Sequence, residues 1–192
     1  MQIPKSWVEV TIAQYQAMTS VMAKQLPNIE QRIELATIFM GKEADHLTVP
    51  DLIKETDKLN FMASLPSEKM AYSFELNGRK FAVNVITQTL TAGQYIDLTA
   101  LTKNPEDTIR NLHNIMAVIA TDGEYKGYIR NAELFRQKLT MDKVYPASAF
   151  FLKVGQGLMK AIEVYLKKEN RKNMKEIKRL EKELSTDTGV GL

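Results

Sequence analysis

The residues of this chain best suited to proton transfer or metal ligation are its two histidines, His46 and His113. A helical metal site needs ligands three or four residues apart, as in H-E-x-x-H, and neither histidine has such a companion. His46 falls in an expected loop and His113 in an expected helix, where surface or hydrogen-bonded positions account for both. The segment Gly155-Gln156-Gly157-Leu158-Met159-Lys160 has phosphate-loop glycines, but it lacks the spacing of a P-loop or dinucleotide fingerprint and does not follow a strand. Close helix packing explains its small residues. The chain contains no cysteine, which removes thiolate nucleophiles, disulfides and Cys-based zinc sites. The adjacent acids Glu106 and Asp107 fit the preference for negative charge in the first turn of a helix, and Glu43 and Asp45 fit a solvated loop. The reading is non-enzymatic, with no cofactor, no metal and no small-molecule substrate.

Charge points instead to a partner surface. Residues 1–159 carry 17 basic and 17 acidic side chains, whereas residues 160–184 carry nine basic and five acidic ones, which accounts for the net charge of +3 after Asp187. Lys168, Arg171, Lys175, Ile177 and Arg179 lie on this basic stretch, and they are the candidate partner-binding residues there. Three readings stay open. The stretch is a solvated helix laced with Glu169–Lys172 and Glu176–Arg179 pairs, a helix that docks on a protein through Met174, Ile177 and Leu184, or a nucleic-acid contact with steep salt dependence. The nucleic-acid reading ranks last. No apolar run approaches a membrane span, and Met-Gln-Ile-Pro-Lys-Ser-Trp lacks the apolar core of a secretory signal.

The elements that position these residues are announced by a phrase used twice, 80 residues apart. Val10-Thr11-Ile12-Ala13-Gln14-Tyr15 returns as Leu90-Thr91-Ala92-Gly93-Gln94-Tyr95. Thr with Gln three residues on is a capping box, and the flanking apolar residue and Tyr stand where a hydrophobic staple needs them. Two helix starts are therefore expected. The same offset pairs Ile29 with Ile109, Lys58-Leu59 with Lys138-Leu139, and Pro66 with Pro146, which suggests two halves of similar helical build.

Periodicity fills in the halves. A first helix is expected over 11–25, and a second runs from an Asn28 cap to Gly41 with Ile29, Ile33, Ala36, Phe39 and Met40 inward. A third starts at Thr48-Val49-Pro50-Asp51 and turns Leu52 and Leu59 inward. In the second half, helices are expected from Thr91 to about Leu101, from an Asn104-Pro105-Glu106-Asp107 cap with Pro at N1 on through a core face of Ile109 to Ala120, and near Asn131–Leu139. A Gly/Tyr loop separates the last two. Between the halves, Tyr72 to Val85 alternates apolar and polar around Asn77-Gly78, the strongest short hairpin signal. A lone hairpin is marginal in water, so this one must pack on helices or extend another chain's sheet, with Phe81 and Val83 as candidate partner-binding residues.

The expected fold is mainly α with one β-hairpin (α+β): an N-terminal helical half over 1–66, the hairpin over 67–86, a second half over 87–146, one long C-terminal helix over 147–184, and a disordered tail over 185–192.

Ile3-Pro4-x-x-Trp7-x-x-Val10-Thr11-Ile12-x-Gln14-Tyr15 resembles the opening of small tailed-bacteriophage proteins of virion and tail morphogenesis. Leu90-Thr91-x-x-Gln94-Tyr95-Ile96-Asp97-Leu98 and Ala147-Ser148-Ala149-Phe150-Phe151-Leu152 are similar in flavour. The resemblance implies a virion part, a connector or ring subunit between portal and tail. It equally accommodates a tail-assembly chaperone, for which ten methionines suit adaptable binding. Its implied partners are copies of itself in a ring-like homo-oligomer and other virion proteins, assembled in the bacterial host cytoplasm. It brings no catalytic residues.

Overall fold

Each repeated phrase opens a helix as its residues dictate. In the computed structural model, which describes residues 2–66, 69–84, 86, 89–104 and 107–148, Thr11 caps α1 (Ile12–Ala23) and Thr91 caps α4 (Ala92–Leu101). In both, the Thr hydroxyl accepts from the Gln amide N–H, at 3.3 and 3.2 Å. The Gln Oε1 accepts in return from the Thr N–H, at 2.9 and 3.1 Å. Two of the four N–H groups that a helix start leaves unpaired are satisfied this way.

The remaining helices follow the same 80-residue offset. α2 (Asn28–Met40) ends on Gly41, whose φ of 61° suits a residue without Cβ, and α3 (Val49–Thr56) begins behind Thr48 with Pro50 in its first turn. Their counterparts are α5 (Asp107–Arg110) with α6 (Leu112–Ile119), and α7 (Ile129–Lys138). Within each half the packing order is the same: α1 on α2 and α2 on α3, then α4 on α6 and α6 on α7. Buried positions correspond as well, with Met18 matching Leu98, Val21 Leu101, Leu35 Ile115, Phe39 Ile119 and Leu59 Leu139. One plan is used twice.

Between the halves, β1 (Ser73–Leu76) and β2 (Arg79–Val83) form the expected hairpin. Asn77 and Gly78 both take positive φ, 51° and 70°, as a type I′ turn requires. A third strand completes an antiparallel sheet in the order β1-β2-β3, where β3 is Ala120–Thr121 and Val83 faces Ala120. The protein is thus mostly helical with a small three-stranded sheet. Phe74 and Phe81 stack at 5.4 Å, and Phe135 of α7 meets both edge-on, at 5.6 and 4.9 Å. Burying a Phe contributes roughly 1.5–3 kcal/mol, so this triad fastens hairpin to helices.

The two ends of the described chain meet. Met141 N–H donates to Val10 O at 2.8 Å and Ile12 N–H to Leu139 O at 3.0 Å, beside helical residues 141–148. The single tryptophan, Trp7, sits edge-on to Tyr15 and Phe61, and its Nε1 donates to Ser64 O.

Three expectations are corrected. Asn28 does not cap α2: Pro27 is the flanking residue, and Asn28 lies inside the helix with its Oδ1 accepting from Arg32 Nε at 3.0 Å. The helix expected behind the Asn104-Pro105 cap is interrupted at Asn111, between α5 and α6. Asn111 N–H still donates to Asp107 O and its carbonyl accepts from Ile115 N–H, while its side chain donates to Leu101 O at 3.2 Å and ties this turn to the end of α4. The inward face of α2 is Leu35, Ala36 and Phe39, while Ile29 and Ile33 stay 39% and 38% exposed. The expected helix over 147–184 and the tail lie outside the described residues, apart from Ala147 and Ser148, which are both buried.

Candidate functional site

Where α1 crosses α7, one polar side chain joins several elements. The interruption at Asn111 frees the carbonyls of Ile109 and Arg110, and Gln16 Nε2 donates to both at 2.9 Å. The same nitrogen lies 3.2 Å from His113 Nδ1, and Gln16 Oε1 accepts from Arg136 Nε at 3.3 Å. Burial pushes the His113 imidazole below its usual pKa; the Arg136 guanidinium pushes the same way, and Glu133 opposes it. His113 is therefore neutral at physiological pH. Its surroundings join helices.

A second cluster fixes the Gly/Tyr loop. Arg79 Nε donates to Asp122 at 2.8 Å, Arg79 Nη2 also reaches Asp122, and that Nη2 donates to Asn131 Oδ1 at 3.0 Å. The Arg79 hydrogen bond holds the Asp122 carboxyl below the usual carboxylate range. Further along, Tyr125 Oη donates to Asp97 at 2.5 Å, and its ring lies 3.8 Å from where a Cβ on Gly93 would sit. Burial first, then the Asp97 hydrogen bond, pushes the Tyr125 phenol up. The loop thereby anchors on α4, α7 and the hairpin. Among the described residues no group of three or more His, Asp or Glu side chains is placed to hold a metal ion, and no helix is long and apolar enough to cross a membrane.

Phe81 and Val83 are corrected as partner contacts. Phe81 is fully buried and Val83 nearly so, because the pleat turns both to the same face of the sheet, where Phe81 meets Phe135. Their strand is also paired on both sides. The open edge, among the described residues, is β1: Val83 N–H donates to Tyr72 O, so strand alternation turns the backbone groups of Ser73 and Glu75 outward. Lys168, Arg171, Lys175, Ile177 and Arg179 lie outside the described residues. His46 is exposed at the end of a 3-10 segment, Gly41–His46.

The apolar surfaces are those that sequence reasoning placed inside or passed over. Ile29 and Ile33 lie one turn apart on α2. Adjoining α3 exposes Ile53 (37%) and Val49 (54%), and α4 exposes Tyr95 (42%) and Ile96 (65%). Arg32 locks the α2–α3 pair, Nη1 donating to Ile53 O at 3.2 Å, Thr56 Oγ1 at 2.6 Å and Asp57 at 2.8 Å. Ile29 and Ile33 flank Leu35, Ala36 and Phe39 on α2, in a stripe broader than the buried face. Comparison with protein-family models, curated proteins and solved structures finds no match for this chain.

Proposed function

We propose that this chain is a non-enzymatic structural subunit of a tailed-phage virion, of the connector or ring kind between portal and tail, which associates with copies of itself and with other virion proteins. The observation that carries the reading is the apolar surface of α2 and α3, where Ile29, Ile33 and Ile53 stand outward beside the charged Arg32 and Asp57. An apolar cluster rimmed by charge marks an interaction surface. The polar clusters support the same reading, since Gln16, Arg79 and Tyr125 spend their hydrogen bonds joining elements within the subunit. A subunit that spends its polar side chains internally and turns isoleucines outward suits a part that is built into something. What supports a virion, assembled in the host cytoplasm, as that something is the resemblance of the N-terminal Ile-Pro-x-x-Trp-x-x-Val-Thr-Ile-x-Gln-Tyr phrase.

Mass analysis of purified particles tests this. A connector or ring subunit is present at a fixed copy number per particle. Presence during assembly and absence from mature particles overturns the reading and leaves the tail-assembly chaperone.

A further inference from the structure

The 80-residue repeat gives the assembly reading a partner. Inside the subunit, α1 of the first half packs against α7 of the second, with Gln16 seated against Ile109, Arg110, His113 and Arg136. By the offset, the equivalent of Gln16 is Ile96 on α4. The equivalents of Ile109, Arg110, His113 and Arg136 are Ile29, Glu30, Ile33 and Thr56, and that of Glu133, which neighbours His113, is Ile53 on α3. Thr56 is buried, whereas Ile96, Ile29, Ile33 and Ile53 are exposed. Their chemistry has changed together. Isoleucine replaces Gln16 on one face, as Ile96, and replaces His113 and Glu133 on the other, as Ile33 and Ile53, beside an Ile29 that keeps the character of Ile109. Backbone supports the match. The carbonyls that Gln16 needs are freed by the break at Asn111, while α2 runs unbroken from Asn28 to Met40 and its midsection offers such a plug only side chains.

We propose that α4 of one copy docks on the α2–α3 face of a second copy, inserting Ile96 among Ile29, Ile33 and Ile53, and so repeats between subunits the contact that α1 makes with α7 within one. This rests on the reading of the chain as an assembly subunit and names its partner as a second copy of the same chain. The two faces differ, so the contact is heterologous: it propagates from subunit to subunit and produces a ring if the rotation closes.

Two variants of the full chain test it, Ile96→Lys and Ile33→Lys, each changing an exposed residue on one face. Trp7 fluorescence and far-UV circular dichroism check that both keep the wild-type fold. The wild-type chain is expected to sediment as an oligomer and each variant alone as a monomer. An equimolar mixture is expected to form dimers and nothing larger, because only the intact α4 of Ile33→Lys and the intact α2–α3 face of Ile96→Lys still match. In the cysteine-free chain, Ile96→Cys mixed with Ile33→Cys is expected to be joined into dimers by a short bis-maleimide, at least tenfold more than either variant alone. A wild-type oligomer that both lysine variants leave intact, or cysteine variants that link no better mixed than alone, overturns this interface and leaves self-association standing. A wild-type chain that stays monomeric overturns the interface and self-association together.

Discussion

Gln14 and Gln94 occupy the same place in the two capping boxes, yet the structure assigns them unequal weight. Gln14 accepts from Thr11 N–H at the start of α1. Gln94 does the equivalent for Thr91 and, from a position 5% exposed, also donates Nε2 to Val118 O at 2.7 Å. That carbonyl lies in the last turn of α6, where no intrahelical donor remains for it. Gln14→Ala removes one half-exposed hydrogen bond, at a cost of about 1 kcal/mol. Gln94→Ala removes the same bond and strands a buried carbonyl, for a total of about 2–4 kcal/mol. With a urea m-value of about 2–3 kcal/mol/M, the unfolding midpoint falls by about 1 M for Gln94→Ala and by less than about 0.5 M for Gln14→Ala. Glutamate separates the roles further. Gln14→Glu keeps a capping box with an acid near the helix start and is neutral or stabilising, whereas Gln94→Glu sets a carboxylate against the Val118 carbonyl and destabilises. The assay is urea unfolding followed by far-UV circular dichroism and Trp7 fluorescence. Equal midpoint losses for the two alanine variants, or tolerance of Gln94→Glu, refute the assignment.

Two other consequences follow from the packing and the titrating groups. Phe135→Ala removes the ring that meets both Phe74 and Phe81 and is expected to cost about 3–5 kcal/mol, read as a matching drop in urea stability; a loss under about 1 kcal/mol contradicts the triad's role. Because His113 has its pKa lowered in the folded chain, the unfolded chain binds the extra proton first. Its contribution to stability is therefore complete above an unfolded pKa of about 6.5 and declines as pH falls from there through the folded value. His113→Gln is expected to flatten that part of the pH profile, and an unchanged slope shows that another group sets it.

The local chemistry of the fold was legible because it is carried by neighbours in sequence. Thr11 and Gln14, Thr91 and Gln94, Asn77 and Gly78, and Thr48 ahead of Pro50 each specify a cap or a turn within four residues. The 80-residue correspondence was legible too, in scattered pairs such as Leu59 with Leu139. What escaped depends on distant partners. Ile29 and Ile33 have the spacing of a core stripe, and only the placement of Leu35 and Phe39 against neighbouring helices decides which stripe is buried. Phe81 and Val83 read as partner contacts because Phe135, the ring that covers Phe81, is distant in sequence, and because β3 is two residues long and continues directly from α6, too short to show alternation. Gln16 gave no sign of its role, since its acceptors lie 93 and 94 residues away.

The proposed function stands on self-association of this chain. Sedimentation velocity of the full chain over a hundredfold range of concentration tests it most directly. One discrete species of fixed stoichiometry greater than one is expected, formed cooperatively with rising concentration and reduced to monomer by Ile96→Lys. A monomer at every concentration contradicts it.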